Sequence, residues 1–278
     1  MIPFDYITEW RATAPWVQDA QVEQDLVLSR ALVAIFQAPA LASSLAFRGG
    51  SALYKLHLTP AARYSEDLDF VQTTPGPIGA VLDAIRGALD SWLGMPRRSL
   101  KEGGATLSYR MESEGAPALP MRLKIEINSR EHFSVFRIER RDFTVDSRWF
   151  AGSASIPTYT LDELLGTKLR APYQRRKGRD LFDLWLAQGR APVDPERVIA
   201  CFLQYLGHAG LTVSRAEFEA NLEAKTADPR FLGDIAPLLS PLCPWDPAAA
   251  TRYVRDELLA RLPGDPWRGG SGGGEAPR

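Results

Sequence analysis

Between residues 121 and 128 apolar and polar side chains alternate without a break. Met121, Leu123, Ile125 and Ile127 interleave with Arg122, Lys124, Glu126 and Asn128. A period of two predicts a strand with one buried and one polar face. Residues 106–111 read as its antiparallel partner, residues 67–72 as another strand, and residues 133–145 as one or two more. Helical spacing frames these strands. Residues 16–36 predict a helix with Val17, Leu26, Leu32, Ile35 and Phe36 on its apolar side. Ser51 begins a short helix that runs through Leu56. Pro77 opens a longer one that buries Ile78, Val81, Leu82, Ile85, Leu89 and Leu93.

Beyond residue 155 the pattern turns helical. Thr160 and Glu163 have the spacing of a capping box, and Pro172 is expected to end or bend the helix they start. A second helix covers residues 179–188, with Gly189 placed to cap it. Asp194-Pro195, Ser214 and Asp246-Pro247 mark three later helix starts. The expected organisation is α+β: an α/β domain over residues 1–155, a helical domain over 156–265 that completes the active site, and a flexible tail over 266–278. No internal repeat interrupts it.

Composition narrows the class. The 33 Lys+Arg and 34 Asp+Glu of the 278 residues give a formal charge of −1, so no global basic field serves nucleic acid, and any such contact needs a local patch. Cys201 and Cys243 are far apart and lack metal-ligand spacing, which suits a reducing, cytoplasmic setting. The first residues show neither a basic nor an apolar leader region, and no apolar run is long enough to span a membrane.

The chemistry concentrates in residues 47–70. Gly49 and Gly50 allow close backbone approach ahead of a helix, and Ser51 adds a hydroxyl, an arrangement suited to a triphosphate. Asp67 and Asp69, two apart in a strand, leave the same face about 6–7 Å apart along the backbone. Carboxylates so placed can hold Mg2+, with Mn2+ as the alternative ion. Glu126, on the polar face of the strongest strand, is the candidate third metal ligand, although Lys124 shares that face and offers it an ion pair. Arg63 and Ser65 precede the acids and are candidates for phosphate or nucleotide contact; Ser65 serves equally well as a strand-entry residue.

A second block contains Lys168 and residues 175–185. Asp180 and Asp183 form a narrow polar stripe on an otherwise apolar helix, where acids need a partner or a wet cleft. One reading pairs Arg179 with Asp183 inside the helix; the other gives Asp183 a tertiary role. Lys168 either snorkels beside its leucine stripe or reaches a phosphate. Arg170, Arg175, Arg176, Lys177 and Arg179 form a basic run, read as a solvated loop or as a track for RNA phosphates.

These blocks resemble the AbiEii/AbiGii-type nucleotidyltransferase toxins, which include the MenT-like toxins. The resemblance is carried by Phe47-Arg48-Gly49-Gly50-Ser51-Ala52-Leu53, by Arg63-Tyr64-Ser65-Glu66-Asp67-Leu68-Asp69-Phe70, by Lys124-Ile125-Glu126-Ile127, and by residues 164–170 and 177–184. It implies a DNA-polymerase-β-like nucleotidyltransferase fold with a helical C-terminal part. It also implies a toxin with an antitoxin encoded beside it, and NMP transfer from an NTP to RNA, in some members to the 3′ acceptor end of tRNA, which blocks aminoacylation. By motif position Asp67 and Asp69 would bind metal, Gly50 and Ser51 the triphosphate, and Lys168 and Asp183 would complete the catalytic set. Gly49 is a further substrate-binding candidate, and the expected mechanism adds Arg179 to Ser51 and Lys168 at the NTP tail.

Two other functions compete. One keeps the enzyme class but moves the nucleotide to a small molecule or a protein side chain. The other is a non-catalytic nucleotide-binding module, which the retained Asp-x-Asp pair opposes.

Overall fold

The computed structural model describes residues 2–269 except Arg176, Leu242 and the side chain of Gln174. The chain forms two compact units. The first comprises the residues up to Leu164 together with Pro237–Pro244. The second comprises Leu165–Ala236 and the residues from Trp245 onward.

In chain order the first unit contains α1 (Phe4–Trp10), α2 (Asp19–Gln37), α3 (Pro39–Ser44), β1 (Leu45–Arg48) and α4 (Gly49–Ala52), which continues as a π-helical turn, Leu53–His57. Then come β2 (Asp67–Gln72), α5 (Ile78–Leu93), β3 (Arg97–Lys101), β4 (Gly104–Glu112), β5 (Pro120–Asn128), β6 (Ile138–Asp146) and β7 (Ala151–Tyr159). The seven strands form one mixed sheet in the order β3-β4-β5-β2-β1-β7-β6. β7 occupies the position where the sequence suggested a change to helices, because its small and β-branched residues pair antiparallel with β6.

The alternation in β5 becomes a division between faces. Leu123, Ile125 and Ile127 are buried in a core with Leu68 and Phe70 of β2 and with α2 and α5. β5 pairs antiparallel with β4 and parallel with β2. On α2, Leu26, Leu32, Ile35 and Phe36 are buried as their spacing predicts. Val17 precedes the helix and is 68% exposed, since Gln18 caps the start reciprocally with Gln21. The strand expected within residues 133–145 begins only at Ile138.

α6 (Leu161–Gln174) starts in the first unit and runs into the second, where α7 (Arg179–Arg190), α8 (Pro195–His208), α9 (Arg215–Thr226), α10 (Pro229–Gly233) and α11 (Pro247–Tyr253) follow. Asp194, Ser214 and Asp246 each accept backbone N–H bonds as N-caps. The Thr160–Glu163 box does not form. Thr160 Oγ1 is buried without a partner, and Glu163 instead accepts from Ser134 Oγ and from the Val135 and Phe136 amides at 2.8–3.1 Å. Three convergent donors outcompete one local amide. Pro172 lies inside α6, which ends two residues later; Lys225 Nζ donates to the Pro172 and Tyr173 carbonyls left open there. Gly189 is helical, and Ala191 is the C-cap of α7. Trp267, in the segment expected to be a tail, donates to Glu219 and Glu223; residues 270–278 lie outside the described residues. No helix among the described residues is long and apolar enough to cross a membrane.

Candidate active site

Two pieces of the first unit meet at the glycine turn. β1 and β2 are antiparallel, with Arg48 opposite Asp69. The chain leaves β1 at Gly49, whose φ of 81° suits glycine. A Cβ at Gly49 would overlap the Asp69 carboxylate, and one at Gly50 would lie 2.7 Å from Arg63 Nη2. The glycines therefore let the acid strand and an arginine approach the backbone closely. Ser51, 1% exposed, ties the pieces together: its hydroxyl donates to the Asp67 carbonyl at 2.5 Å and shares a 2.9 Å hydrogen bond with Ser65 Oγ.

The acids carry an electrostatic load. Burial, then the neighbouring Asp69 charge, push the Asp67 carboxyl up to about 6, with Lys124 opposing. Asp67 Oδ1 is buried and accepts no hydrogen bond. A buried anionic oxygen with no donor is a position that a cation satisfies, so the acid pair fits a divalent ion. Glu126 sits opposite Asp69 in the register but pairs with Lys124 at 2.7 Å, its side chain 43% exposed. Among the described residues no three His, Cys, Asp or Glu side chains are gathered into a metal-binding group. The structure thus brings together Asp67 and Asp69 and leaves Glu126 in the ion pair that its sequence neighbour offered.

Arg63 is 2% exposed, donates to the Tyr64 carbonyl and stands over the Tyr54 ring at 5.1 Å. With Ser51 and Ser65 it lines a cavity of about 300 Å3 whose other walls include Trp10, Trp16 and Lys55. Lys55 Nζ lies 3.1 Å from Asp25 Oδ2 and 2.9 Å from Ser29 Oγ, which anchors the helix behind the glycine turn to α2. Nothing in the sequence linked Asp25 to Lys55, which are 30 residues apart. Arg48 was also missed: it pairs with Glu131 at 2.6 Å and, with Asp69, Thr106 and Glu126, lines a groove of about 280 Å3.

In the second unit Lys168, 9% exposed, pairs with Asp183 at 2.8 Å and with Asp180 at 3.2 Å; both acids are fully buried. Arg175 adds two bonds to Asp180 at 3.0 and 3.1 Å. Arg179 does not pair within its helix. It reaches Asp234 at 3.0 Å, joined by Lys177 at 3.3 Å. Burial pushes Asp234 up, but the bonds and charges of Arg179 and Lys177 outweigh it and hold the carboxyl below its usual range. Much of the basic run is therefore neutralised; Arg176 lies outside the described residues.

The model of the AbiEii nucleotidyltransferase toxins of type IV toxin–antitoxin systems matches residues 30–251. The chain belongs to that family. It is a nucleotidyltransferase, and membership brings a nucleotide substrate and an antitoxin partner with it. The fold agrees. The nucleotidyltransferase toxin MenT4 of Mycobacterium tuberculosis superposes with a TM-score of 0.65 at 18% identity, covering 95% of this chain and 91% of MenT4. An H. pylori protein described as a nucleotidyltransferase gives 0.50 at 17% identity, over 88% and 98% of the respective chains. No curated protein matches the sequence. Enzymes of this kind generally depend on a divalent metal.

Proposed function

We propose that this toxin transfers NMP from an NTP to an RNA 3′ end, with the acceptor end of tRNA as the substrate whose blockage stops aminoacylation. The RNA 3′-hydroxyl attacks the α-phosphorus in line and pyrophosphate leaves. Asp67 and Asp69 hold the divalent ion, Mg2+ or Mn2+. That ion, when bound, supplies positive charge at the triphosphate and favours deprotonation of the attacking hydroxyl. Gly49 and Gly50 form the turn that receives the phosphates, with Asp69 and Arg63 packed directly against it, and Ser51 and Ser65 keep the turn and the acid strand in register. Arg63 backs the same turn. In the second unit Lys168 is held by Asp180 and Asp183, while Arg179 is committed to Asp234 and positions α7.

The observation that carries this reading is the Asp67 oxygen, buried and unpartnered beside a second carboxylate. Incubation with each labelled NTP, total tRNA and Mg2+ tests it. Label is expected on the RNA 3′ end and absent with Asp69→Ala. Label confined to protein or small molecules would reject the RNA acceptor.

A further inference from the structure

Most cations of the first unit are spoken for. Arg11, Arg48, Lys55, Arg86, Lys124, Arg130, Arg141 and Arg148 have acid partners. Arg30 lies over the Trp92 and Trp149 rings, and Arg140 donates to backbone carbonyls. Among the described residues, the side chains of Arg97, Arg98, Lys101, Arg110, Arg122 and Arg137 have neither a hydrogen bond nor an ion pair. Five of these six fall on β3, β4 and β5, and all five are exposed.

The strand register decides where they point. Residues opposite one another share a face. Arg97 is opposite Ser108, Ser108 opposite Lys124, and Lys124 opposite Asp67. One row therefore leads from the outermost strand to the first catalytic acid, across three strand spacings or about 14 Å. The adjacent row joins Arg110 to Arg122, and Lys101 is opposite Gly104 on the same face. The five unpaired cations thus place four on the face that bears Asp67 and Asp69; Arg98 turns the other way. Glu66 and Glu112 border the Arg110–Arg122 groove, of about 650 Å3. They leave both guanidinium groups without an ion pair.

Exposed cations on β3 also protect an edge strand from pairing. That role needs neither the cations of β4 and β5 nor their alignment with the acids. We propose that this open face of β3–β4–β5 is the docking surface for the acceptor's backbone phosphates, leading an RNA strand to the acid pair. The proposal rests on RNA being the acceptor. It replaces the 170–179 run as the phosphate track, since Arg175, Lys177 and Arg179 of that run are held by acids.

The test uses the full chain and an RNA hairpin with a labelled, single-stranded 3′ end. Binding is followed by fluorescence anisotropy across a salt series. Three substitutions, Arg97→Ser, Arg110→Ser and Arg122→Ser, are combined in one variant; Arg137→Ser, next to the opposite sheet edge, is the control. Losing three phosphate contacts is expected to weaken binding and to flatten the slope of log K against log salt by about 2 to 3. The control should match the wild type. In transfer assays the triple variant should show a raised KM for RNA with the NTP affinity unchanged. An unchanged slope in the triple variant overturns the surface, as would be found if an acidic protein were its occupant. A wild-type chain that labels no RNA, yet shows the slope change, overturns the proposed reaction and supports the surface.

Discussion

Asp67→Asn should stabilise the metal-free protein above neutral pH while removing its activity. Asp67 titrates near 6 in the fold, raised by burial and by Asp69 from an ordinary value of 3.8. A carboxyl whose folded pKa is raised binds its proton more tightly folded than unfolded. Its contribution to stability is therefore fully present below about 4 and is lost as pH rises through 6. A shift of about 2 units corresponds to about 3 kcal/mol, and partial solvent access brings the expected effect to about 2–3 kcal/mol. Asparagine keeps the shape and cannot ionise, so the variant escapes that loss.

Urea denaturation of both proteins between pH 4 and 8.5, without divalent ions, reads the difference directly. The two curves should lie closest at pH 4 and separate progressively through pH 6, with the variant the more stable at pH 8. Adding Mg2+ at pH 8 should then restore stability to the wild type and move the variant far less, because only the wild type keeps both carboxylates of the Asp67–Asp69 pair for the ion. A variant equally destabilised at every pH would refute the electrostatic reasoning, as would a wild type indifferent to Mg2+ and Mn2+.

Three further substitutions probe the surrounding architecture. Gly49→Ala places a methyl group in the Asp69 carboxylate at a φ of 81°, and the displaced acid should cost about 100-fold in transfer rate, read in single-turnover assays. Lys168→Met leaves two fully buried acids short of a cation and should lower stability by about 3–5 kcal/mol in urea denaturation. Adding Asp180→Asn and Asp183→Asn should recover much of that loss; failure to recover stability would show that the acids were not the cause. Glu163→Ala removes the acceptor of three donors from residues 134–136 and should cost about 1–3 kcal/mol, with faster hydrogen exchange at Val135 and Phe136.

Sequence periodicity located β5, β4 and the apolar side of α5, because each signal is local: the side chains that alternate are the ones that define the face. β1 and β7 were less visible. β1 has four residues, Leu45–Arg48, too few to show alternation, and its place between β2 and β7 comes from pairing across the chain. The acid pair was legible because its two members are two residues apart on one strand. Its partners were not. The Lys55–Asp25 and Arg48–Glu131 pairs join residues 30 and 83 apart, and no local spacing announces them. The capping box at Thr160 failed for the same reason, since Glu163 found better donors 27–29 residues upstream.

The register between β2 and β5 explains why the site is charged as it is. Parallel pairing sets Lys124 opposite Asp67 and Glu126 opposite Asp69, so four ionisable side chains share one patch of sheet. Three carboxylates and one ammonium leave a net charge of −2 when all are ionised, which a single divalent ion balances. Lys124 is closely bound to Glu126, and its charge reaches Asp67 only through space, too weakly to cancel the burial of Asp67. A one-residue slip between these strands would turn Lys124 and Glu126 into the core and bring Leu123 and Ile125 out beside the acids, at a cost no fold could absorb. The hydrophobic pattern that specifies the core therefore also fixes the spacing and sign of the charges above it. The same alternation of residues 121–128 sets Arg122 in the row that faces Arg110, so one period-two signal positions both the acids' counter-charge and the open cations beside them.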